Sequence, residues 1–508
     1  MDELGVGGVN QYPRIRLGDI CEKITDGTHH SPANHPRGAF KYITAKNIKP
    51  WGLDLTDLTY VDEETHREIY ARCDVKRGDI LYIKDGATTG VAAINPLDEE
   101  FSLLSSVGVL RPGKALRSKY LLYALQDPET KAKMLDGVAG VAITRLTLRK
   151  LNDAEVPVAP LAVQDRIVSK LDELLSDLDA GVAELKAAQK KLAHYRQSLL
   201  KAAVEGALTA EWRTQRRSPS PQPIPPRGGG AIAPLSPRGR GVGGEGETGA
   251  DLLQRILTER RARWEARQLA KFHEQGKTPP KDWQKKYPEP VQPDTSGLPE
   301  LPEGWVWASV DHLLSDIETG KSFKCEERPP KDGEIGIVKV SAVTWGEYNE
   351  KESKTCRNES MIRQELFVKP GDFLFSRANT IELVGACVIA RQVTKQVMLS
   401  DKILRFILAK EELKNWLLTL LRSEIGRHYI ELLASGNQES MRNIGQERIR
   451  QIPVPLPPMA EITRVDELLA DGIEGATAQA VAIATSIKQS SAQRQNILRA
   501  AFSGQLVP

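Results

Sequence analysis

The stretch "RQSLLKAAVEGAL" (Arg196 to Leu208) recurs as "RQNILRAAFSGQL" (Arg494 to Leu506), with seven of thirteen positions identical and an offset of 298 residues (494 against 196). Upstream blocks repeat in the same order. "VPVAPLAVQDRIVSKLDELL" (Val156 to Leu175) matches "IPVPLPPMAEITRVDELL" (Ile452 to Leu469), and "VKRGDILYI" (Val75 to Ile83) matches "VKPGDFLFS" (Val368 to Ser376). "RLGDICEKITDG" (Arg16 to Gly27) aligns more loosely with "SVDHLLSDIETG" (Ser309 to Gly320). A repeat on this scale is a duplication of a whole folding unit, so the chain must build one globular domain plus one long helix twice. Its 508 residues suffice for two or three cores.

The helices carry a heptad-like pattern. Leu171, Leu178, Leu185, Leu192 and Leu199 recur every seven residues, with Leu175 and Val182 on the second seam position. In the second copy Val465, Leu469, Ile473, Ala476, Ala480, Ile483 and Ile487 alternate in steps of four and three. Each stripe lacks a partner and each can supply the other's, which predicts pairing of the two helices. A helix from Leu161 to Leu208 would run roughly 70 Å at ~1.5 Å per residue. Aligning Asp172 with Asp466 (offset 294) and Arg196 with Arg494 (offset 298) makes the second helix four residues longer.

Between the copies, 16 of the 38 residues from Arg213 to Ala250 are Pro or Gly, the composition of a flexible linker; its six arginines read as solvated charge. Leu252, Leu253, Ile256, Leu257, Trp264 and Leu269 then predict an amphipathic helix, and Pro279, Pro280, Pro288, Pro290 and Pro293 an extended connector. The expected domains are 1–158, a globular domain; 159–212, a long helix; 213–250, the linker; 251–303, the amphipathic helix and connector; 304–455, the second globular domain; and 456–508, the second long helix. The globular copies read as mixed α/β: strand-like runs at Asp79–Ile83, Gly90–Ile94 and Ser106–Leu110, echoed at Asp372–Phe375 and Val384–Ala390, with helices near Lys119–Gln126 and Glu411–Arg422.

Several functions find no footing. No run of 18 apolar residues is present, and the acidic start "MDELGVGG" is unlike a signal peptide. Five scattered cysteines without CxxC spacing (Cys21, Cys73, Cys325, Cys356, Cys387) argue against a disulfide framework or zinc site and suit a reducing cytoplasm. There is no Asn/Asp-Pro-Pro-Tyr/Phe stretch for holding a flipped base and no GKT or GKS phosphate loop, and Gly239-Arg240-Gly241 falls in the linker. His29, His30 and His35 in "GTHHSPANHP" read as a polar loop rather than metal ligands. The net charge of +3 neither shows nor excludes a basic patch.

In their order and duplication these blocks resemble the specificity subunit of type I restriction-modification systems. The resemblance rests on the strap Pro157, Val158, Pro160, Leu161 and Gln164 with its second form "PVPLPPMAEI", on Gly78-Asp79 and Gly371-Asp372, on the repeated helix ends, and on "LLQRILTERRARWEARQLAKF…DTSGLPELPEGW". The second strap departs from it, with Glu461-Ile462 in place of the glutamine, and the Pro/Gly linker is longer than the pattern needs. The resemblance implies two mixed α/β target recognition domains in tandem, joined by two long antiparallel coiled-coil helices. Each domain would read one half of a bipartite double-stranded DNA site. The helices would act as a spacer that docks two modification (methyltransferase) subunits, which restriction subunits join. S-adenosylmethionine, ATP and Mg are then expected in partner subunits and no cofactor or metal in this chain, which would be non-catalytic and cytoplasmic. Competing readings are a specificity chain of a type IIB-like system and a coiled-coil scaffold that does not bind DNA.

Side chains whose donors and acceptors match base edges, set on loops of a rigid scaffold, are the candidate readers. In the first copy these are Thr44, Lys46 and Asn47; Lys84, Thr88 and Thr89; and Thr144 and Arg145. In the second they are Lys339 and Ser341; Arg377, Asn379 and Thr380; and Asn437, Gln438, Ser440 and Arg442.

Overall fold

A computed structural model describes residues 12–135, 145–217, 246–438 and 441–507. The chain folds as two compact units, of which the first is discontinuous in sequence. The first is 1–189 with 481–508, and the second is 190–480. Both contain the same mixed α/β domain. In the first, a four-stranded antiparallel sheet runs in the order Cys21–Asp26, Val107–Pro112, Ile80–Ile83, Ala92–Ile94. Beside it, Phe40–Ile43 pairs antiparallel with Thr59–Val61 and parallel with Ser102–Leu103. The second domain repeats this order as Leu314–Thr319, Ile403–Leu408, Phe373–Ser376, Cys387–Ile389, and again as Ile335–Val338 between Ser353–Cys356 and Val397–Met398. The central strands Ile80–Ile83 and Phe373–Ser376 are buried at every residue, which explains why they read as unbroken apolar runs. The expected helices are Ser118–Gln126 and Lys414–Arg422.

The straps are hung in the same way in both copies. Tyr120 Oη donates to the Pro157 carbonyl at 3.1 Å, and Trp416 Nε1 donates to the Pro455 carbonyl at 2.9 Å. After the strap the copies diverge. Gln164 is fully buried; its Oε1 accepts from the Arg117 amide, and its Nε2 donates to the Ala115 and Ala159 carbonyls, all within 2.8–2.9 Å. Glu461 takes the place of Val163 rather than of Gln164, since both donate their amide to the strap carbonyl three residues back. Its buried carboxylate accepts from Thr209 Oγ1 at 2.6 Å and Trp305 Nε1 at 2.9 Å and pairs with Arg213.

The long helices are Leu161–Val204 and Met459–Phe502, each of 44 residues. Equal lengths overturn the expectation of four extra residues in the second. The "DELL" motifs that suggested them are one turn out of structural register. Arg494 pairs with Asp179 at 2.7 Å in the first unit, and Arg196 donates to Thr477 at 2.9 Å in the second. Those partners keep the 298 offset, and 17 residues forward on one helix is 17 back on the other, so the helices pair antiparallel. Ile473 is not on the seam: it is 38% exposed, and Gly472 faces Leu199 instead.

The repeated tails close the fold. Ala203 and Val204 of the first tail are buried in the core of the second domain beside Trp305 and Leu456. Leu498, Ala501, Phe502 and Val507 of the second tail are buried in the core of the first, beside Tyr120 and Leu171. Gly206 (φ 75°) and Gly504 (φ 80°) end the helices in the left-handed conformation that only glycine adopts without strain. The ends of the expected linker are ordered: Ala210–Arg217 and Gly249–Glu274 are helical, while 218–245 lies outside the described residues. Gly249–Glu274 packs on the second domain through Leu252, Ile256 and a buried Arg260, whose Nε donates to the Leu314 carbonyl at 2.8 Å. Among the described residues, no helix is long and apolar enough to cross a membrane.

Candidate nucleic-acid interface

The loop after each central strand is pinned at both faces of its backbone. The Lys84 amide donates to the Ser106 carbonyl at 2.9 Å, and its carbonyl accepts from Leu146 at 2.7 Å. Arg377 makes the same pair of bonds with Lys402 and Ile444, both at 2.9 Å. Residues 84 and 377 are therefore structurally equivalent, and each places a cation where two of the three expected segments meet. In the first domain the meeting is the bridge Asp85–Arg145; in the second it is the ladder Ala378–Asn443 and Asn379–Arg442.

The two cations are used differently. Lys84 is only 2% exposed, with Nζ 3.3 Å from Asp26 and 3.2 Å from Asp85. Its expected role as a DNA contact is corrected: it neutralises two carboxylates inside the domain and is not presented to a ligand. The equivalents of Asp26 and Asp85 in the second domain are Thr319 and Ala378. Among the described residues no carboxylate lies within salt-bridge range of Arg377, which is half-buried and steered by Asn443 Oδ1 at 3.3 Å. Sequence reasoning missed Asp26, Asp85 and Asn443; the repeat offset of 293 would have exposed the exchange of Asp26 for Thr319.

Asn47 and Thr89 also turn inward. Asn47 is 2% exposed; its amide nitrogen donates to the Asp54 and Asp57 carbonyls at 3.1 and 2.9 Å, and its Oδ1 accepts from the Thr44 amide at 3.1 Å. Thr89 is buried and donates to the Gly86 carbonyl at 2.7 Å. Both shape loops from within, which corrects the expectation that they reach bases. Thr88 and Arg145 are exposed, Arg145 lying 3.6 Å from Asp85. Lys46 is exposed and pairs with Asp57 at 2.9 Å, and Thr44 is half-buried. Beneath this loop the buried Tyr82 phenol lacks a partner among the described residues, and burial pushes its pKa up to about 12.

In the second domain Ser341 donates to Glu352 at 2.6 Å, and Lys339 lies 3.9 Å from Glu327. Asn379 Oδ1 accepts from the Thr380 amide at 2.9 Å, while its Nδ2 and Arg442 Nε are buried without partners among the described residues. Arg442 also donates to the Gly436 carbonyl at 2.7 Å. Its own backbone N–H and the Thr380 hydroxyl hold the Glu382 carboxyl below the usual range. Thr144 and Ser440, and the side chains of Asn437 and Gln438, lie outside the described residues.

A pinned loop, a guanidinium with no carboxylate partner among the described residues, and further donors suit contact with an acceptor-rich edge. Residues 11–187, about a third of the chain, match the family described as the type I restriction modification DNA specificity domain. The type I restriction enzyme EcoEI specificity subunit of Escherichia coli is 33% identical over 189 residues, 37% of this chain and 32% of that protein. The chain thus aligns with about a third of that relative's length. The EcoKI specificity subunit of Escherichia coli (strain K12) is 23% identical over 479 residues, 91% of this chain and 82% of that one. A solved chain from a type I R-M system shares the fold with a TM-score of 0.57 at 15% identity, covering 99% of this chain and all of that one. The chain is thus similar to specificity subunits of type I restriction enzymes, most strongly over its N-terminal third.

Proposed function

We propose that this chain is the DNA-reading subunit of a type I restriction-modification enzyme, and that each of its two domains reads one half of a bipartite duplex site. The observation that carries the reading is the duplication itself: one domain built twice, with equivalent pinned loops, on two antiparallel helices of equal length. In this reading the chain supplies sequence recognition and spacing. Methyl transfer and cleavage belong to two modification subunits and to restriction subunits, which would bring S-adenosylmethionine, ATP and Mg. The complex would work in the cytoplasm. A gel shift of the chain assembled with its modification subunits, on DNA carrying its methylated motif and on scrambled DNA, tests this. Equal binding to both would overturn the reading.

Within it, Arg377 is the foremost base reader. A guanidinium held in plane by Asn443 and not neutralised by a carboxylate suits the bidentate contact with guanine N7 and O6, worth about 1–3 kcal/mol of discrimination. Arg377→Gln should relax one guanine of the half-site read by the second domain, shifting it toward adenine, and leave the other half-site unchanged in methylation-site sequencing. Lys84→Gln should leave the motif intact and lower only the stability of the first domain. A uniform loss of affinity in Arg377→Gln would reassign the residue to a phosphate.

A further inference from the structure

Both domains carry a Trp-Gly pair just beyond the central strand of the smaller sheet: Trp51-Gly52 after Phe40–Ile43, and Trp345-Gly346 after Ile335–Val338. They are used in opposite ways. Trp345 is fastened to its own domain, with Nε1 donating to the Glu382 carbonyl at 2.8 Å and the Arg427 guanidinium 4.6 Å from the ring centroid. Trp51 is 79% exposed and has no hydrogen-bond or ring partner among the described residues. An indole is seldom left in water without a use, because its large apolar surface gains so much from burial.

The support beneath Trp51 is rigid. Pro50 and Trp51 are the two-residue tip of a hairpin in which Ile48 pairs with Leu53 and Lys49 with Gly52. Asn47 ties the base of this hairpin to the Asp54 and Asp57 carbonyls, and Ile48 and Leu53 pack into the core with Ile83, Val91 and Ala93. The ring is therefore held away from the domain rather than free to fold back onto it. The hairpin also leaves the domain at the reading end. The Ile43 carbonyl accepts from Leu104 at 3.2 Å, and two residues on the Ser106 carbonyl accepts from Lys84 at 2.9 Å. The strand that leads into the Trp51 hairpin thus ends next to the segment that pins the loop carrying the exposed Thr88 and the Asp85–Arg145 bridge.

We propose that Trp51 is an aromatic DNA contact of the first domain, laying its ring against base or sugar surface at the first half-site, a contact the second domain lacks because Trp345 is spent internally. This rests on the function proposed above. A side chain with two χ angles on a pinned tip loses little entropy on contact. A ring against nucleic acid adds affinity with little sequence preference, which complements the hydrogen-bonding readers nearby.

The test uses the chain assembled with its modification subunits and a duplex carrying the site found by methylation sequencing. Trp51→Ala should weaken binding roughly tenfold, and Trp51→Phe should restore most of the loss. The slope of affinity against salt should stay the same, since no phosphate contact is removed. Assembly with the modification subunits should be unaffected. Unchanged affinity in Trp51→Ala would overturn the proposal. So would loss of assembly with unchanged affinity in whatever complex forms, which would assign Trp51 to a protein partner. If the unsubstituted complex shows no preference for its site, the function proposed above fails first, a result distinct from either of these.

Discussion

Phe502→Ala should lower the stability of the first domain by about 3–5 kcal/mol, although the residue lies more than 340 positions beyond that domain's last strand (502 against 157). Phe502 is 4% exposed and meets Tyr120 edge to face, with centroids 5.4 Å apart and planes at 70°. Tyr120 is the residue that holds the Pro157 strap, so the cavity would open beneath the start of the first long helix. The mirrored change, Val204→Ala, removes two methyl groups from the core of the second domain and should cost roughly 2 kcal/mol there. A chain of two units does not unfold in one step, so the measurement is hydrogen exchange resolved by strand. Phe502→Ala should release protection in Ile80–Ile83 and spare Phe373–Ser376; equal loss in both strands would contradict the assignment of the tail to the first domain.

This crossing of tails was only half visible in the sequence. Seven identities in thirteen residues announced that the tails matter equally, and Gly206 and Gly504 marked where each helix stops. What each tail packs against is a tertiary fact, settled by burying Val204 under Trp305 and Phe502 against Tyr120. The central strands were legible because they are buried at every residue and read as continuous apolar runs, whereas their order in the sheet was not. The register of the long helices was misread because "DELL" is a local similarity. The equal lengths, and the ties of Arg494 to Asp179 and Arg196 to Thr477, come only from packing.

The proposed reading residues can be chosen from the sequence by type but not by direction. Lys84 and Arg377 look alike in sequence and occupy equivalent places, yet Lys84 is closed in by Asp26, 58 positions earlier, while Thr319 leaves Arg377 uncompensated. Composition could not foresee this; superposing the two copies position by position could. Asn47 has the donor and acceptor set of a base reader, and the same set suits it to closing a hairpin from inside. Trp51 escaped notice because a search for hydrogen-bonding side chains passes over an indole.

Shortening both helices together should move the half-sites closer without changing what either domain reads. Because Asp179 faces Arg494 and the pairing is antiparallel, the segment Ala180–Ala183 lies opposite Ser490–Gln493. Deleting both keeps the Asp179–Arg494 tie and every tail contact, and removes about 6 Å from each helix at ~1.5 Å per residue. Four residues exceed one turn by about 40°, and at ~3.4 Å per base pair 6 Å corresponds to one to two base pairs, so the turn of the shortened rod and that of the shortened DNA go in the same sense. Deleting only one segment would leave four unmatched residues, slip the seam and cost assembly. The expected result, from methylation-site sequencing of the doubly shortened chain with its modification subunits, is the same two half-site sequences with a gap shorter by one or two base pairs. An unchanged gap in an active complex would mean that something other than these helices measures the distance, and the equal lengths of Leu161–Val204 and Met459–Phe502 would then serve only to seat each tail in the opposite domain.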